Sequence, residues 1–425
     1  MKITIAGTGY VGLVTAACMA EKGHNVICLD VDKNKIELLK AGKVPVYEDG
    51  LEELLIKNKD RLFFTSNSQM AYQSAEVIFI GVGTPEKKDG SANLAYVFEA
   101  AEQIAANAFR DCVVVVKSTV PIGANDKVEK ILEENKKHDV KFHVASNPEF
   151  LSQGTAVHNT LNASRIVIGV EDAYAEQVLL EVYKEFNVPK LVMNRRSAEM
   201  VKYASNDFLA LKISYINEIA NLCEEVGADI SDVSAGMGYD IRIGREFLKA
   251  GIGYGGSCFP KDTKALYWLS NLYDRELKTV KAAIEVNEQQ KLRLIKKARR
   301  YYKSFEGLNI AVLGLTFKPG TDDLREAPSL VNIPVFLDEG ANVSAWDPVG
   351  ADNFRKLFPD EIRYCENVDE AIKDADICFI LTEWPELKCY PTHKFAELMK
   401  RPLVLDGRNC LRDIDPAITY ISIGK

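Results

Sequence analysis

Two parallel-sheet α/β domains, one at each end of the chain and joined by a helical middle with a long connecting helix, are what this sequence predicts. Three observations carry that reading. Strand-like apolar runs alternate with helical stretches as far as Gly169, the middle turns to unbroken helical periodicity, and from Leu308 the opening pattern returns. Alternating strands and helices imply right-handed crossovers and a parallel sheet covered on both faces.

The first strand spans Ile3 to Ala6, Gly7-Thr8-Gly9-Tyr10-Val11-Gly12 makes a tight turn, and Val11 to Lys22 reads as a helix stopped by Gly23. Asn25 to Leu29 is a strand running into Asp30. Further strands are expected at Glu76 to Gly81, Cys112 to Lys117, Phe142 to Ser146 and Arg165 to Gly169, with helices such as Asn93 to Ala108 and Asn125 to Lys137 between them. From Ala198 to Val226, with no internal Gly or Pro, the residues Met200, Val201, Ala204, Phe208, Leu211, Ile213, Ile216, Ile219 and Leu222 recur at helical spacing. At ~1.5 Å per residue such a helix exceeds ~40 Å and could connect two domains. The glycine-rich segment Gly251-Ile252-Gly253-Tyr254-Gly255-Gly256 follows, and helical sequence resumes to about Tyr302. Asn309 to Leu313, a helix from Ala327 to Glu339 stopped by Gly340, and Asn342 to Trp346 running into Asp347 then repeat the opening arrangement. Ala375-Asp376-Ile377-Cys378-Phe379-Ile380 also echoes Ala75-Glu76-Val77-Ile78-Phe79-Ile80. The expected domains are residues 1–196, 197–303 and 304–425, the outer two Rossmann-like.

Composition narrows the function classes. Of 425 residues, 47% are apolar and 27% charged, as in an ordinary globular chain, and 53 basic against 61 acidic residues leave a net charge of −8. That balance argues against nucleic acid as a partner. The nine cysteines are scattered with no CxxC pair, and the five histidines stand apart from cysteines and carboxylates at ligand spacing, so no metal is expected. Met1-Lys2 leads straight into a strand, too brief for a signal-peptide core, and no apolar run reaches the length of a membrane span. A soluble, reduced, cytoplasmic protein is expected.

The turn at Gly7 follows a strand and opens a helix, and Asp30 closes the second strand, the setting of a dinucleotide fingerprint. Gly7 makes the turn, Gly9 lets the backbone approach a pyrophosphate, Gly12 permits close helix–strand packing, and the helix N-terminus offers amide donors. Asp30 suits ribose hydroxyls and would repel a 2′-phosphate, so NAD is favoured over NADP. Lys35 is a cation that could partner a phosphate, although a solvated helix residue is the plainer role. Cys258 differs from the other cysteines in following a glycine-rich run and lying beside Lys261 and Asp262. A neighbouring positive charge favours the nucleophilic thiolate, against the plainer reading of a small buried hydrophobe. Lys202 and Asn206 stand four apart and so share a helix face, which is commonly just a solvated surface. Ser118-Thr119-Val120-Pro121 and Asn147-Pro148-Glu149-Phe150 follow expected strands, where open parallel sheets bind ligands.

Taken in order, the GTGYVG turn at Gly7, STVP at Ser118, NPEF at Asn147, the Lys202/Asn206 helix, GGSCFPKD at Gly255, FKPGTDDLRE at Phe317 and DGRN at Asp406 resemble the UDP-glucose 6-dehydrogenase family of nucleotide-sugar dehydrogenases. The resemblance spans nearly the whole chain. It implies oxidation of a sugar C6 alcohol to a carboxylate with two NAD and one water, through an aldehyde and an enzyme thioester. Cys258 would be the nucleophile, Lys202 and Asn206 the oxyanion donors, Asp262 the carboxylate assisting thiol and water, and Thr119 with Glu149 the holders of an ordered water. NAD contacts would be Gly7, Thr8, Gly9, Tyr10, Val11, Gly12, Asp30, Lys35, Gly83, Thr84, Pro85, Ser118, Thr119, Gln153, Lys261 and Arg325. Besides Glu149, Lys202 and Asn206, the UDP-sugar would meet Phe150, Leu151, Phe247, Lys249, Ile252, Gly253, Tyr254, Gly255, Phe317, Lys318 and Arg408. Arg242 matches an arginine that reaches the substrate from the neighbouring subunit of a homodimer. Many relatives carry Glu where this chain has Gln153, which can hydrogen-bond but cannot act as a base. The same chemistry on a UDP-N-acetyl-hexosamine or GDP-mannose, a one-step dehydrogenase, and a nucleotide-sugar sensor without turnover are the competing readings.

Overall fold

A computed structural model describes residues 1–425. The chain divides into two compact units, Met1–Ser205 and Asn206–Lys425, with the boundary inside the helix Arg195–Val226. Each unit is built on one sheet.

The first sheet comprises β1 (Lys2–Ala6), β2 (Asn25–Leu29), β3 (Leu62–Thr65), β4 (Val77–Ile80), β5 (Cys112–Val116), β6 (Phe142–Ser146), β7 (Ile166–Gly169) and β8 (Lys190–Met193) in the order β3-β2-β1-β4-β5-β6-β7-β8. Strands β4 and β5 are buried along their whole length, which is why their sequence is a continuous apolar run. Ile78, Ile80, Val114 and Val116 fill the core on one face, while Val77, Phe79, Val113 and Val115 fill it on the other. One pairing departs from the all-parallel expectation: β6 meets β7 antiparallel, through Ser146 and Gly169 alone, and β8 then pairs parallel to β7. Gly169 is required at that junction, since a Cβ there would lie 2.5 Å from the Ala198 side chain.

The second sheet comprises β9 (Asn309–Leu313), β10 (Asn342–Trp346), β11 (Ile362–Tyr364), β12 (Ile377–Ile380), β13 (Leu403–Asp406) and β14 (Thr419–Ile421), ordered β11-β10-β9-β12-β13-β14 and parallel throughout. The internal echo extends to hydrogen bonding. Gly7 and Gly314 both take positive φ, 96° and 91°. The next amide in each case, Thr8 or Leu315, donates to the acid ending the second strand, Asp30 at 2.8 Å or Asp347 at 2.7 Å. In the second copy the Trp384 indole also donates to Asp347, at 3.0 Å.

The long helix runs Arg195–Val226, three residues earlier than expected. Its buried positions in the second unit are Asn206, Asp207, Ala210, Ser214, Ile216, Asn217, Ala220 and Cys223, whereas Phe208 and Leu222 are 62% and 57% exposed. Polar atoms at these positions serve neighbouring segments: Ser214 donates to the Ala283 carbonyl at 2.7 Å and Asn217 accepts from Gly251 N at 2.8 Å. Four further helices, Ile230–Gly238, Phe259–Leu272, Lys278–Gln290 and Arg293–Ala298, precede β9. No helix is long and apolar enough to cross a membrane.

Candidate functional site

In the first unit the candidate residues gather beyond the strand C-termini. The helix Tyr10–Glu21 begins after Gly9, which is extended (φ −68°, ψ −175°) with nothing within 4 Å of where its Cβ would be. Gly12 is the opposite case, for a Cβ there would fall 1.9 Å from the Gly7 carbonyl oxygen. An open approach at Gly9 and backbone contact at Gly12 are what a bound pyrophosphate needs, and Gly83 is equally open. Asp30 is buried; its Oδ2 accepts from Thr8 N, the Thr8 hydroxyl (2.6 Å) and Lys35 Nζ (3.3 Å), and its Oδ1 accepts from Asp32 N (3.0 Å). Burial raises its pKa, but these hydrogen bonds prevail and hold it below the usual carboxylate range. A carboxylate oxygen can accept more than one donor, so Oδ1 keeps capacity for a ribose hydroxyl. Lys35 thus faces Asp30.

The loops after β4 and β5 are tied together: Thr84 Oγ1 donates to the Thr119 carbonyl (2.9 Å) and Ser118 Oγ to that of Val82 (2.6 Å). After β6, Glu149 is buried; its Oε1 accepts from Lys202 Nζ at 2.9 Å and its Oε2 from Leu151 N at 2.8 Å. The Phe150 ring lies under two cations, Arg165 at 4.0 Å and Lys202 at 5.5 Å. Lys117 and Glu149 line a cavity of about 330 Å³ behind this loop. Lys117 Nζ donates to Asn147 Oδ1 at 2.9 Å, and burial pushes its pKa down to about 8. Gln153 Oε1 is a buried acceptor with no partner, consistent with a ligand contact.

Two residues that sequence reasoning missed hold these loops. Glu48 accepts from the Tyr10 hydroxyl and, at 2.6 Å each, from Gly154 N and Ala156 N, pinning the Gln153 loop to the fingerprint helix. Glu199 accepts from Gly123 N (2.6 Å) and Asn125 N (2.9 Å), fixing the far end of the Thr119 loop.

Of the nine cysteines in the chain, seven are buried, Cys389 is exposed and Cys258, in the second unit, is half-buried. Cys258 immediately precedes the helix Phe259–Leu272, where the helix dipole favours a thiolate. Ser257 Oγ lies 3.7 Å from its sulfur. Asp262, in the first turn, is fully buried; it accepts from Asn206 Nδ2 at 2.7 Å on one oxygen and from Lys261 Nζ on the other. Arg325 is paired with Asp323 and adds positive charge toward Cys258.

The glycine-rich segment is pressed between neighbours. A Cβ on Gly255 would lie 2.4 Å from the Glu326 carbonyl, and one on Gly253 2.7 Å from Asn287 Oδ1. Asn287 clamps Tyr254 at both backbone atoms, Oδ1 accepting from its N at 2.8 Å and Nδ2 donating to its O at 3.0 Å. Arg408 joins three candidate segments by donating to the carbonyls of Gly253 (2.9 Å), Leu381 (2.8 Å) and Phe317 (3.4 Å). Phe247 packs edge-on to Phe259 at 6.1 Å, and Lys318 lies over the Phe317 ring at 5.6 Å. Ile252 is fully buried in the core, so it offers a ligand only backbone. Lys249 and Arg242 are exposed, Arg242 bonded to Asp240 at 2.6 Å. No group of three or more His, Cys, Asp or Glu is arranged to hold a metal ion.

Models of the UDP-glucose/GDP-mannose dehydrogenase family match three successive stretches: its NAD binding domain over residues 1–187, its central domain over 196–289 and its UDP binding domain over 311–413. The chain is 46% identical to the UDP-glucose 6-dehydrogenase YwqF of Bacillus subtilis, covering 100% of this chain and 98% of the relative. It is 45% identical to the UDP-glucose 6-dehydrogenase of Rhizobium meliloti, with 100% of both covered. Among solved structures, a UDP-glucose dehydrogenase from the archaeon Pyrobaculum islandicum superposes with a TM-score of 0.93 at 38% identity, covering 99% of this chain and 96% of that one. A UDP-D-ManNAc dehydrogenase from Pyrococcus horikoshii gives 0.88 at 26% identity, over 100% and 99%.

Proposed function

The chain belongs to the UDP-glucose/GDP-mannose dehydrogenase family and is an NAD-dependent oxidoreductase; from that premise we propose that it converts UDP-glucose to UDP-glucuronate by a four-electron oxidation. The observation that carries the mechanism is Cys258, half-buried at a helix N-terminus one turn from the buried Asp262.

When bound, NAD would supply the hydride acceptor for each of the two oxidations. The turn Gly7–Gly12 would hold its pyrophosphate and Asp30 its ribose, with Gly83, Thr84, Pro85, Ser118, Thr119, Gln153, Lys261 and Arg325 as further contacts. Thr119 and Glu149 would position the water that takes the proton of the C6 hydroxyl. The Lys202 ammonium and the Asn206 amide would stabilise the oxyanion developing on the aldehyde oxygen, where fixed donors away from water count most. Cys258 sulfur then adds to the aldehyde carbon as a thiohemiacetal. Its oxidation leaves a thioester, and water, giving a proton to Asp262, attacks the carbonyl while the C–S bond breaks and sulfur departs as thiolate. Alcohol, two NAD and one water become carboxylate, two NADH and three protons. Phe317, Lys318, Arg408 and the glycine-rich segment would seat the nucleotide sugar.

Phe208, Tyr215, Leu222 and Val226 are exposed apolar residues on one face of the long helix, at seven- or four-residue steps. That stripe supports a homodimer, in which the exposed Arg242 would reach the neighbouring subunit's substrate. Nine free cysteines support a reducing, cytoplasmic setting. Mass spectrometry of protein quenched during turnover should find a sugar adduct on Cys258, and its absence under all quench conditions would contradict the mechanism. A parallel assay with UDP-glucose, UDP-N-acetylglucosamine, UDP-N-acetylmannosamine and GDP-mannose should give the highest kcat/KM for UDP-glucose; a higher value for another sugar would move the substrate to that one.

A further inference from the structure

Among the buried positions of the long helix, Asp207 stands out. It is 4% exposed, and neither carboxyl oxygen has a hydrogen-bond partner. The charged group facing it is Asp262, on the helix Phe259–Leu272, whose own oxygens are taken by Asn206 and Lys261. The Tyr254 phenol, from the glycine-rich segment, bonds to Thr263 and Ser214 and also senses the charge of Asp207. A carboxyl out of water, without donors and opposite a like charge, is costly to ionise. Burial foremost, with Asp262 second, pushes the Asp207 carboxyl up to about 8.

We propose that Asp207 and Asp262 work as one coupled acid pair, in which Asp207 keeps a proton at neutral pH and, on releasing it, strengthens Asp262 as the base of thioester hydrolysis. The inference rests on the role given to Asp262 above. In that step the water oxygen bonds to the thioester carbonyl carbon, the C–S electron pair leaves on the Cys258 sulfur, and the water proton passes to Asp262. A negative charge on Asp207 disfavours the ionised form of Asp262 and so raises its affinity for that proton. Asp207 acts through Asp262, which makes it a positioning residue.

The test compares wild type with Asp207→Asn, which mimics the protonated acid. For wild type, kcat with UDP-glucose should rise between about pH 7 and about pH 9, and in the variant the ratio of the two rates should be at least about threefold smaller, with KM little changed. Equal ratios in the two proteins would overturn the proposal. Infrared spectra read the same pair without turnover: wild type should show a protonated-carboxyl stretch near pH 6 that is lost by about pH 10 and that Asp207→Asn lacks. Absence of that stretch from wild type would likewise overturn it. Should Asp207→Asn fail to fold, Asp207→Ser serves both comparisons. Wild type that releases no NADH from UDP-glucose would contradict the proposed function, and the infrared stretch would still decide the acid pair.

Discussion

Alanine at Gly9 and at Gly12 should separate cofactor binding from folding within one six-residue turn. At Gly12 the new Cβ would stand 1.9 Å from the Gly7 carbonyl oxygen and 3.0 Å from its carbon, against a limit of 3.0 Å that real Cβ contacts respect. Both obstacles are backbone, so the turn and helix must separate by more than an ångström. Overpacking of this kind costs roughly 1–3 kcal/mol, and here the upper end is expected because no side chain can rotate away. At Gly9 the backbone is already extended and nothing lies within 4 Å, so folding stability should change by no more than about 0.5 kcal/mol. The added methyl would occupy the space through which a pyrophosphate meets the helix N-terminus, and a tenfold loss of NAD affinity corresponds to about 1.4 kcal/mol. Calorimetric unfolding without cofactor and titration calorimetry with NAD measure the two effects. Gly12→Ala should lower the melting temperature by several degrees, while Gly9→Ala should melt like wild type yet bind NAD at least about tenfold more weakly. A Gly9→Ala protein with wild-type NAD affinity, or a Gly12→Ala protein with wild-type stability, would refute the geometry assigned to the turn.

Lys202→Met removes one member of a buried ion pair and leaves Glu149 charged without it, so denaturant unfolding should show a loss of about 3–5 kcal/mol alongside a large fall in kcat. Asp30→Ala should weaken NAD by about tenfold and narrow its advantage over NADP, as measured by the two KM values. Burial pushes Lys117 from an ordinary 10.5 down to about 8, so between those pH values the unfolded chain holds a proton that the folded chain has released. The Lys117 contribution to stability should therefore be lowest below pH 8 and rise toward pH 10.5, seen as a growing difference in unfolding free energy between wild type and Lys117→Met.

Much of the fold was legible because buried parallel strands leave apolar runs bounded by glycine or acid. The bounds expected for Asn25–Leu29, Phe142–Ser146, Asn309–Leu313 and Asn342–Trp346 match the observed strands. Strand direction left no such trace: β7 reads like its neighbours, yet one bridging pair sets it antiparallel to β6. Apolar spacing on the long helix located the helix without separating its inner from its outer face. Of the residues at apolar spacing, Ile216 is fully buried but Phe208 and Leu222 are exposed, and the buried positions also carry Asp207, Ser214 and Asn217, the last of which receives the Gly251 amide of the glycine-rich segment. At the candidate site, the bond from Asn206 to Asp262 joins residues singled out 56 positions apart. Glu48 was missed because its carboxylate serves amides 106 and 108 residues away, a relation that no local pattern encodes. Asp207 did leave a signal, the one carboxylate among the buried positions of the helix in the second unit, directly after Asn206.

The most direct measurement is the yield of NADH per UDP-glucose consumed, taken for wild type and Cys258→Ser side by side. Two NADH per sugar acid from wild type, and near-total loss of turnover in the serine variant, are expected if the Cys258 sulfur carries the aldehyde to the acid. One NADH per substrate, with Cys258→Ser turning over at close to the wild-type rate, would contradict it.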